Sequence, residues 1–206
     1  SIFLILILLF CLLYNKYLWL TLLILVSIIS FLEFNNLIKK IWKKKNKFYL
    51  INLAVLFYLF LFTYSAYLLG MWSWQVAIYI LSISIMSDVG GYIIGNVFGG
   101  KKLTKISPNK TISGAIGSFI FSLIPLILIF FIYDLKNLFY LTAFTLFLSL
   151  ISQIGDLFIS YFKRKSKVKD TGNILPGHGG ILDRVDGVLF VVPVAFFIIV
   201  ISGNFN

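Results

Sequence analysis

Two aspartates three residues apart, Asp183 and Asp186, form the first pattern in the sequence that suggests chemistry. An apolar run at 187–202 follows and predicts a helix, so both carboxylates project from one face of its start. Paired carboxylate oxygens suit Mg²⁺, which commonly binds one or two carboxylates together with substrate phosphates. The same spacing is also typical of an acidic helix start that complements the helix dipole, so the pair alone leaves both roles open.

A glycine-rich turn, Pro-Gly-His-Gly-Gly at 176–180, lies just before this pair. Its backbone N–H groups can approach a phosphate closely, and five basic side chains lie upstream within 163–169. We expect Lys163, Arg164 and Lys169 to bind phosphates, with anchoring at the membrane surface as the alternative for each. The turn therefore favours the role of the aspartate pair as ligands of Mg²⁺ bound together with substrate phosphates.

Three further residues keep two interpretations each. Lys110 is either a phosphate ligand or a surface anchor. His178, the only histidine in the chain, is either a phosphate hydrogen-bond partner or a structural residue. Arg184 lies between the two aspartates and is either a substrate contact or one half of a structural ion pair.

Asp88 and Asp156 lie inside long apolar runs. A carboxylate at the bilayer centre costs about 2.5–3.5 kcal/mol even on a lenient scale, so such residues usually mark ion or substrate sites. At 1.5 Å per residue, both lie roughly 10–15 Å below the same membrane surface, where they can meet. We therefore predict a function for both, whereas Glu33 and Asp134 lie at the ends of predicted spans and are assigned none.

Each of these two aspartates belongs to a polar stripe with helical spacing, which predicts a face turned towards other helices. The stripes consist of Ser84, Asp88, Gly91 and Gly95 on one helix and of Ser149, Ser152, Asp156 and Ser160 on the other. Close helix packing and interhelical hydrogen bonds are the favoured roles of the serines and glycines.

The composition assigns these helices to a membrane. Hydrophobic residues make up 60% of the 206 residues and charged residues 12%, whereas soluble domains carry about 25% charged residues. The single cysteine, Cys11, excludes an intrachain disulfide. These values exclude soluble, disordered, collagen-like and disulfide-rich classes, and they predict an all-α polytopic membrane protein.

About seven apolar runs are candidates to span a hydrocarbon core of roughly 30 Å. They are 1–14, 17–32, 48–70, 72–98, 113–133, 138–162 and 187–202. The start of the chain lacks the features of a cleavable signal peptide, so none is expected.

Sixteen of the 18 lysines and arginines fall in three segments, 39–47, 101–110 and 163–184. Basic loops stay on the cytoplasmic side, and an even number of predicted spans separates each pair of these segments. We therefore expect an integral membrane protein, in a bacterial cytoplasmic membrane, with loops 99–112 and 163–186 and the active site facing the cytoplasm. Such loops usually orient the chain and contact anionic lipids, so no nucleic-acid partner is expected.

Two sequence patterns resemble a known family. Residues 160–186 read S-x-F-K-R-x4-K-D-x-G-x2-L-P-x-H-G-G-I-x-D-R-V-D, which is similar to the full signature of the phosphatidate cytidylyltransferases, or CDP-diacylglycerol synthases. Segments 87–92 (S-D-V-G-G-Y) and 107–111 (S-P-N-K-T) resemble the family's other motif, in which an aspartate-bearing helix leads into an S-P-x-K-T loop. The resemblance covers 71–206, the predicted catalytic transmembrane domain, and leaves 1–70 as generic membrane helices.

The resemblance implies transfer of the cytidylyl group from CTP to phosphatidate, which yields CDP-diacylglycerol and pyrophosphate, with Mg²⁺ as the cofactor. Because both reactants are polyanions that repel each other, we expect two ions. The implied catalytic residues are Asp156, Asp183, Asp186 and His178, and Asp88 joins the three aspartates as a metal ligand. The implied substrate-binding residues are Ser107, Lys110, Thr111, Lys163, Arg164, Lys169, Asp170, Gly179, Gly180 and Arg184. Many members carry a glutamate two residues after the K-T pair, where this chain has Ser113, so no role transfers to that position.

The expected partners are CTP, phosphatidate and membrane lipids, with a homodimer as one assembly to test. A CTP-dependent polyprenol or phytol kinase is the alternative enzyme, and it would release CDP instead of pyrophosphate. A transporter of phosphorylated anions is the alternative from another class. Metal-free carboxylates on its pathway would repel such cargo, and it leaves 160–186 unexplained.

Overall fold

A computed structural model describes residues 2–42, 45–132, 137–174 and 179–203. Within these ranges the chain forms helices α1 (Ile2–Tyr14), α2 (Lys16–Ile41), α3 (Lys45–Trp72), α4 (Trp74–Phe98), α5 (Ile112–Ser122), α6 (Ile124–Ile132), α7 (Leu138–Lys165) and α8 (Leu182–Ile201). The same ranges contain no β-strand, only an isolated bridge between Lys102 and Thr111. The predicted all-α polytopic membrane class is confirmed.

Six helical segments in the described ranges are long and apolar enough to cross a membrane, with α5 and most of α6 counting as one span, Ile112–Phe130. The predicted run 1–14 corresponds to α1, which contains 13 residues. The prediction of about seven spans is therefore matched by six candidate spans and the apolar helix α1. Two candidate spans separate each neighbouring pair of basic loops, as the charge pattern requires.

The predicted span 113–133 is not one continuous helix. Helix α5 ends at Ser122, and α6 begins at Ile124. Pro125 lies in the first turn of α6, where its missing N–H is tolerated, whereas a continuous helix would lose a hydrogen bond and clash at this position. The proline therefore explains why the helix is interrupted within the span.

The chain divides into two compact units. The first contains 1–78, 162–185 and 196–206, and the second contains 79–161 and 186–195. In the first unit, Trp19 Nε1 of α2 donates a 3.2 Å hydrogen bond to the Ala66 carbonyl of α3. The hydroxyls of Ser27 and Thr63 join the same two helices at 2.7 Å. Because a polar side chain in an apolar span needs a partner, these bonds fix how α2 pairs with α3.

Serines pair α4 with α7 in the second unit. Ser84 Oγ lies 2.8 Å from Ser152 Oγ, and Ser87 Oγ lies 3.0 Å from Ser149 Oγ. All four side chains are buried. The prediction that the stripe serines face other helices is therefore confirmed for Ser84, Ser149 and Ser152, whereas Ser87 lies outside the predicted stripes. The pairs give the register in which the aspartate-bearing helices pack.

Candidate active site

The loop between α4 and α5 is held by its own backbone. Leu103 N donates to the Lys110 carbonyl at 2.8 Å, and Lys110 N donates to the Ser107 carbonyl at 3.1 Å. Ser107 N in turn donates to Thr104 Oγ1 at 3.2 Å. These bonds bring the predicted residues Ser107 and Lys110 into one turn of the S-P-N-K-T segment.

Thr111 ends this loop and caps α5. Its buried Oγ1 accepts a 3.1 Å hydrogen bond from Gly114 N, which satisfies one of the free amides at the helix start. Ser113 lies two residues later, and its hydroxyl bonds to Thr111 Oγ1 at 2.9 Å and donates to the carbonyl of Gly99, the residue that follows α4. Ser113 therefore ties the loop ends together at the position where many members of the resembled family carry a glutamate.

Lys110 forms an ion pair with Asp156, the aspartate of α7. Ser160 donates a hydrogen bond of 3.3 Å to the other oxygen of this carboxylate. Asp88 of α4 interacts electrostatically with both Lys110 and Asp156, although its side chain is exposed whereas Ser84 and Ser87 on the same helix are buried. The second unit thus brings together one cation and two carboxylates that were predicted from separate parts of the sequence.

Asp183, in the first turn of α8, is the centre of a hydrogen-bond cluster in the first unit. Its Oδ1 accepts a 2.7 Å charge-assisted hydrogen bond from Lys163 Nζ. Its Oδ2 accepts hydrogen bonds from Thr171 N at 2.7 Å, from Thr171 Oγ1 at 3.0 Å and from Gly180 N at 3.1 Å. Both oxygens are engaged, so Asp183 organises the segment that precedes α8.

Glu33 also belongs to this cluster, and the expectation that it merely ends a span is wrong. Helix α2 continues to Ile41, and the Glu33 side chain is buried. It accepts hydrogen bonds from Thr171 Oγ1, Ile181 N and Leu182 N. The sequence shows at Glu33 the same feature as at Asp88 and Asp156, a carboxylate in an apolar run. The role of Glu33 was missed because the asparagines and lysines that follow it ended the predicted span at residue 32.

The other predicted residues of the first unit lie in or beside this cluster. Arg164, Lys169, Asp170 and Arg184 have exposed side chains. Gly179 has φ +81°, in the left-handed region that glycine adopts without a steric cost. Predicted residue His178 lies outside the described residues.

Asp186 belongs to the second unit. Its side chain is buried, and Oδ1 accepts a 2.9 Å hydrogen bond from Gly187 N. As predicted, Asp183 and Asp186 lie at the start of one helix, since α8 begins at Leu182. Their spacing of three residues places them on one face of that helix.

No group of three or more His, Cys, Asp or Glu side chains converges in the part of the chain that the structure describes. Mg²⁺ does not require such a group, because it usually binds one or two carboxylates with water and substrate phosphates. Asp88 and Asp156 provide oxygen donors of that kind within one unit. The donor chemistry therefore fits Mg²⁺, and the set of four aspartates stays a prediction.

Comparison with known proteins gives a consistent family match. Residues 70–202 match the sequence profile of the cytidylyltransferase family. A phosphatidate cytidylyltransferase of Staphylococcus haemolyticus is 49% identical over 118 residues, which cover 56% of this chain and 45% of that protein. One from Staphylococcus aureus is 47% identical over 127 residues, 61% of this chain and 49% of that protein. One from Rickettsia bellii is 43% identical over 136 residues, 61% of this chain and 58% of that protein. The chain spans about half the length of these relatives.

Proposed function

The chain belongs to the cytidylyltransferase family, and on that premise we propose that it transfers the cytidylyl group from CTP to phosphatidate. A phosphate oxygen of phosphatidate attacks the α-phosphorus of CTP. The bond from that phosphorus to the oxygen bridging to the β-phosphate breaks, and pyrophosphate leaves. The products are CDP-diacylglycerol and pyrophosphate, so atoms and charge balance without a further reactant.

The observation that carries this proposal is the ion pair between Lys110 and Asp156. Both reactants are polyanions that repel each other, so the site must supply positive charge at a membrane depth that a lipid phosphate reaches. Lys110 brings a cation from the S-P-N-K-T loop to an aspartate of an apolar helix. On substrate binding, we propose that its ammonium group moves from the carboxylate to a phosphate oxygen.

Phosphatidate already carries an ionisable phosphate, so the reaction needs no strong general base. Positioning and charge neutralisation then account for most of the rate, as in other phosphoryl transfers. We propose that Lys163, like Lys110, neutralises the charge of a bound phosphate. In this structure Lys163 is paired with Asp183. Arg164, Lys169 and Arg184, which are exposed, are the further phosphate contacts that we propose.

We propose Mg²⁺ as the cofactor, with two ions and with ligands drawn from Asp88, Asp156, Asp183 and Asp186. When bound, the ions would neutralise phosphate charge and stabilise the attacking and leaving oxygens. The support is the chemistry of the donors, because carboxylate oxygens are the ligands that Mg²⁺ prefers in proteins.

The location and partners follow from charge and composition. We propose that the basic loops face the cytoplasm of a bacterium, whose soluble CTP then reaches the site, while phosphatidate enters from the membrane. Anionic lipids would bind the same loops. A homodimer is the assembly that we propose to test first.

Incubation of the purified protein with phosphatidate vesicles, α-labelled CTP and Mg²⁺ tests the proposed function. We expect a labelled liponucleotide and unlabelled pyrophosphate. Labelled CDP with a polyprenol or phytol acceptor would instead identify a kinase. Uptake of a phosphorylated anion into proteoliposomes without turnover would identify a transporter, and either result would overturn the proposal.

A further inference from the structure

The buried carboxylate of Glu33 accepts hydrogen bonds from residues that precede and follow the glycine-rich sequence 176–180. Only 3% of the residue is exposed. Oε1 accepts a 3.1 Å hydrogen bond from Ile181 N, and Oε2 accepts hydrogen bonds from Leu182 N at 2.9 Å and from Thr171 Oγ1 at 2.8 Å. Thr171 precedes the turn, and Ile181 and Leu182 follow it. A single side chain of α2 therefore binds one residue before the glycine-rich sequence and two residues after it.

Glu33 also completes the start of α8. Ile181, the residue that precedes this helix, makes no side-chain capping bond, so the first backbone N–H groups need acceptors from elsewhere. Glu33 accepts from two of them, and its negative charge complements the positive end of the helix dipole. The helix start that carries Asp183 is thus capped by a residue that lies 148 and 149 positions before the two amides it binds.

Thr171 links this cap to Asp183. Its hydroxyl lies 2.8 Å from Glu33 Oε2 and 3.0 Å from Asp183 Oδ2. The hydroxyl has a single hydrogen, which it donates to one carboxylate at a time. A change at Glu33 therefore reaches Asp183 through one intervening side chain as well as through the helix start.

We propose that Glu33 is a positioning residue for the cytidylyl transfer, because it sets the geometry of Thr171 and of the α8 start and thereby that of Asp183. This inference rests on the proposed function. It assigns a role to the N-terminal part of the chain, since Glu33 lies outside the residues 70–202 that match the family. Glu33 also lies outside the motif at 160–186, so the hydrogen bonds that hold the segment before α8 do not come only from the motif's own residues.

Two glycines support the proposal independently. A Cβ atom on Gly172 would lie 2.5 Å from Glu33 Oε1, and a Cβ atom on Gly180 would collide with both Thr171 Oγ1 and Glu33 Oε2. The backbone at Gly172 and at Gly180 therefore lies directly against the carboxylate. A side chain at either glycine would displace the Glu33 carboxylate or the backbone that it binds.

The proposal requires a carboxylate and not only a side chain of this size. All three partners of Glu33 are donors, so a glutamine at this position would turn an NH₂ group towards at least one N–H or O–H group. A buried donor facing a donor is left unsatisfied, which destabilises this arrangement locally. Aspartate keeps the charge but is one methylene shorter, so it can satisfy only part of the set.

Glu33→Gln and Glu33→Asp, each compared with Ser30→Ala, test the proposal in the full chain in vesicles. Ser30 lies about one turn earlier on α2, is buried, and its Oγ has no hydrogen-bond partner among the described residues, so its loss should leave the protein unchanged. The measurements are kcat, KM for CTP, the unfolding temperature, and trypsin cleavage after the exposed residues Lys167 and Lys169. We expect Glu33→Gln to lower kcat at least tenfold and to accelerate cleavage several-fold at an unchanged unfolding temperature. Glu33→Asp should give a kcat and a cleavage rate between those of Glu33→Gln and those of the parent.

Every outcome of these experiments either supports or overturns a proposed role. A parent chain without liponucleotide synthesis overturns the proposed function, and the cleavage comparison then still tests whether Glu33 holds the segment. Parent-level kcat in Glu33→Gln, or a lower kcat without faster cleavage, overturns the positioning role. If Glu33→Gln does not fold, Thr171→Val decides, with Thr171→Ser as its control. Thr171→Val should reproduce both effects and Thr171→Ser neither, whereas parent-like behaviour of Thr171→Val would overturn the proposal.

Discussion

Lys163 Nζ donates a 2.7 Å hydrogen bond to Asp183 Oδ1, so the last turn of α7 is tied to the first turn of α8. Both side chains are largely buried, with 14% and 9% exposed, so water screens the pair less than it would an ion pair at the surface. The pair joins the basic end of one helix to the acidic start of another, as each helix dipole favours. Lys163, predicted to bind phosphate, and Asp183, predicted to bind Mg²⁺, thus form an ion pair with each other.

We predict that Lys163→Gln lowers kcat about 10–100-fold, as expected for a residue that orients a proposed metal ligand. Lys167→Gln is the matched control for Lys163→Gln, because it removes an exposed charge near Lys163.

Asp183→Asn and Asp186→Asn should each lower turnover by orders of magnitude while the protein still inserts and folds. Steady-state kinetics at saturating Mg²⁺ measure the effect, and near-parent activity of both aspartate variants would remove them from the ligand set.

The helices and the inward faces of the serines were predictable because both depend on periodicity. Apolar runs of about 20 residues define spans, and Ser84 and Ser152 occupy positions whose helical spacing predicts an inward face. The interruption at Leu123 was missed because hydropathy counts the apolar residues of a window and does not register the proline at 125. Local composition therefore predicts which segments cross the membrane, but not where their helices break.

The cluster around Glu33 could not be predicted, since it depends on contacts between residues about 140–150 positions apart. Spacing within a segment reports which face a side chain occupies, but not which distant segment lies opposite it. The pair formed by Lys110 and Asp156 was missed for the same reason. Both residues were named as candidates, yet only the tertiary structure assigns one as the partner of the other.

The orientation of the chain is tested with single cysteines in a background where Cys11 is replaced by serine. We predict that Lys40→Cys, Lys105→Cys and Lys167→Cys are shielded from impermeant thiol reagents in intact cells, because basic loops stay cytoplasmic. Asn137→Cys, on the opposite side of the predicted topology, should react. Labelling after permeabilisation controls for reactivity of each thiol, and labelling of the three lysine positions in intact cells would refute the orientation.

A variant of Lys110 tests whether this lysine binds the substrate or serves only the ion pair with Asp156. We predict that Lys110→Gln raises KM for CTP about tenfold or more, because one charge-assisted hydrogen bond to phosphate is lost. Lys105→Gln, which removes an exposed charge from the same loop, should leave KM unchanged. CTP titrations at fixed phosphatidate measure the effect, and equal KM values for the two variants would exclude Lys110 from the nucleotide site.

The two intramembrane aspartates should differ in their effect on metal dependence. We predict that Asp156→Asn abolishes activity and that neither stabilising lipid nor lower temperature restores it, since the defect is electrostatic and the amide preserves the packing. Asp88→Asn should be milder and should weaken Mg²⁺ affinity about 10–100-fold, which would assign Asp88 to support of the metal site through a neighbour; loss of the Mg²⁺ requirement would instead assign it as a ligand. Mg²⁺ titrations of activity compare the two variants. Ser152→Ala is the control for packing, because it removes the 2.8 Å hydrogen bond to Ser84 one turn from Asp156 without changing charge. Ordinary Mg²⁺-dependent turnover in Asp156→Asn would show that the proposed site does not use this carboxylate and must rely on Asp183 and Asp186.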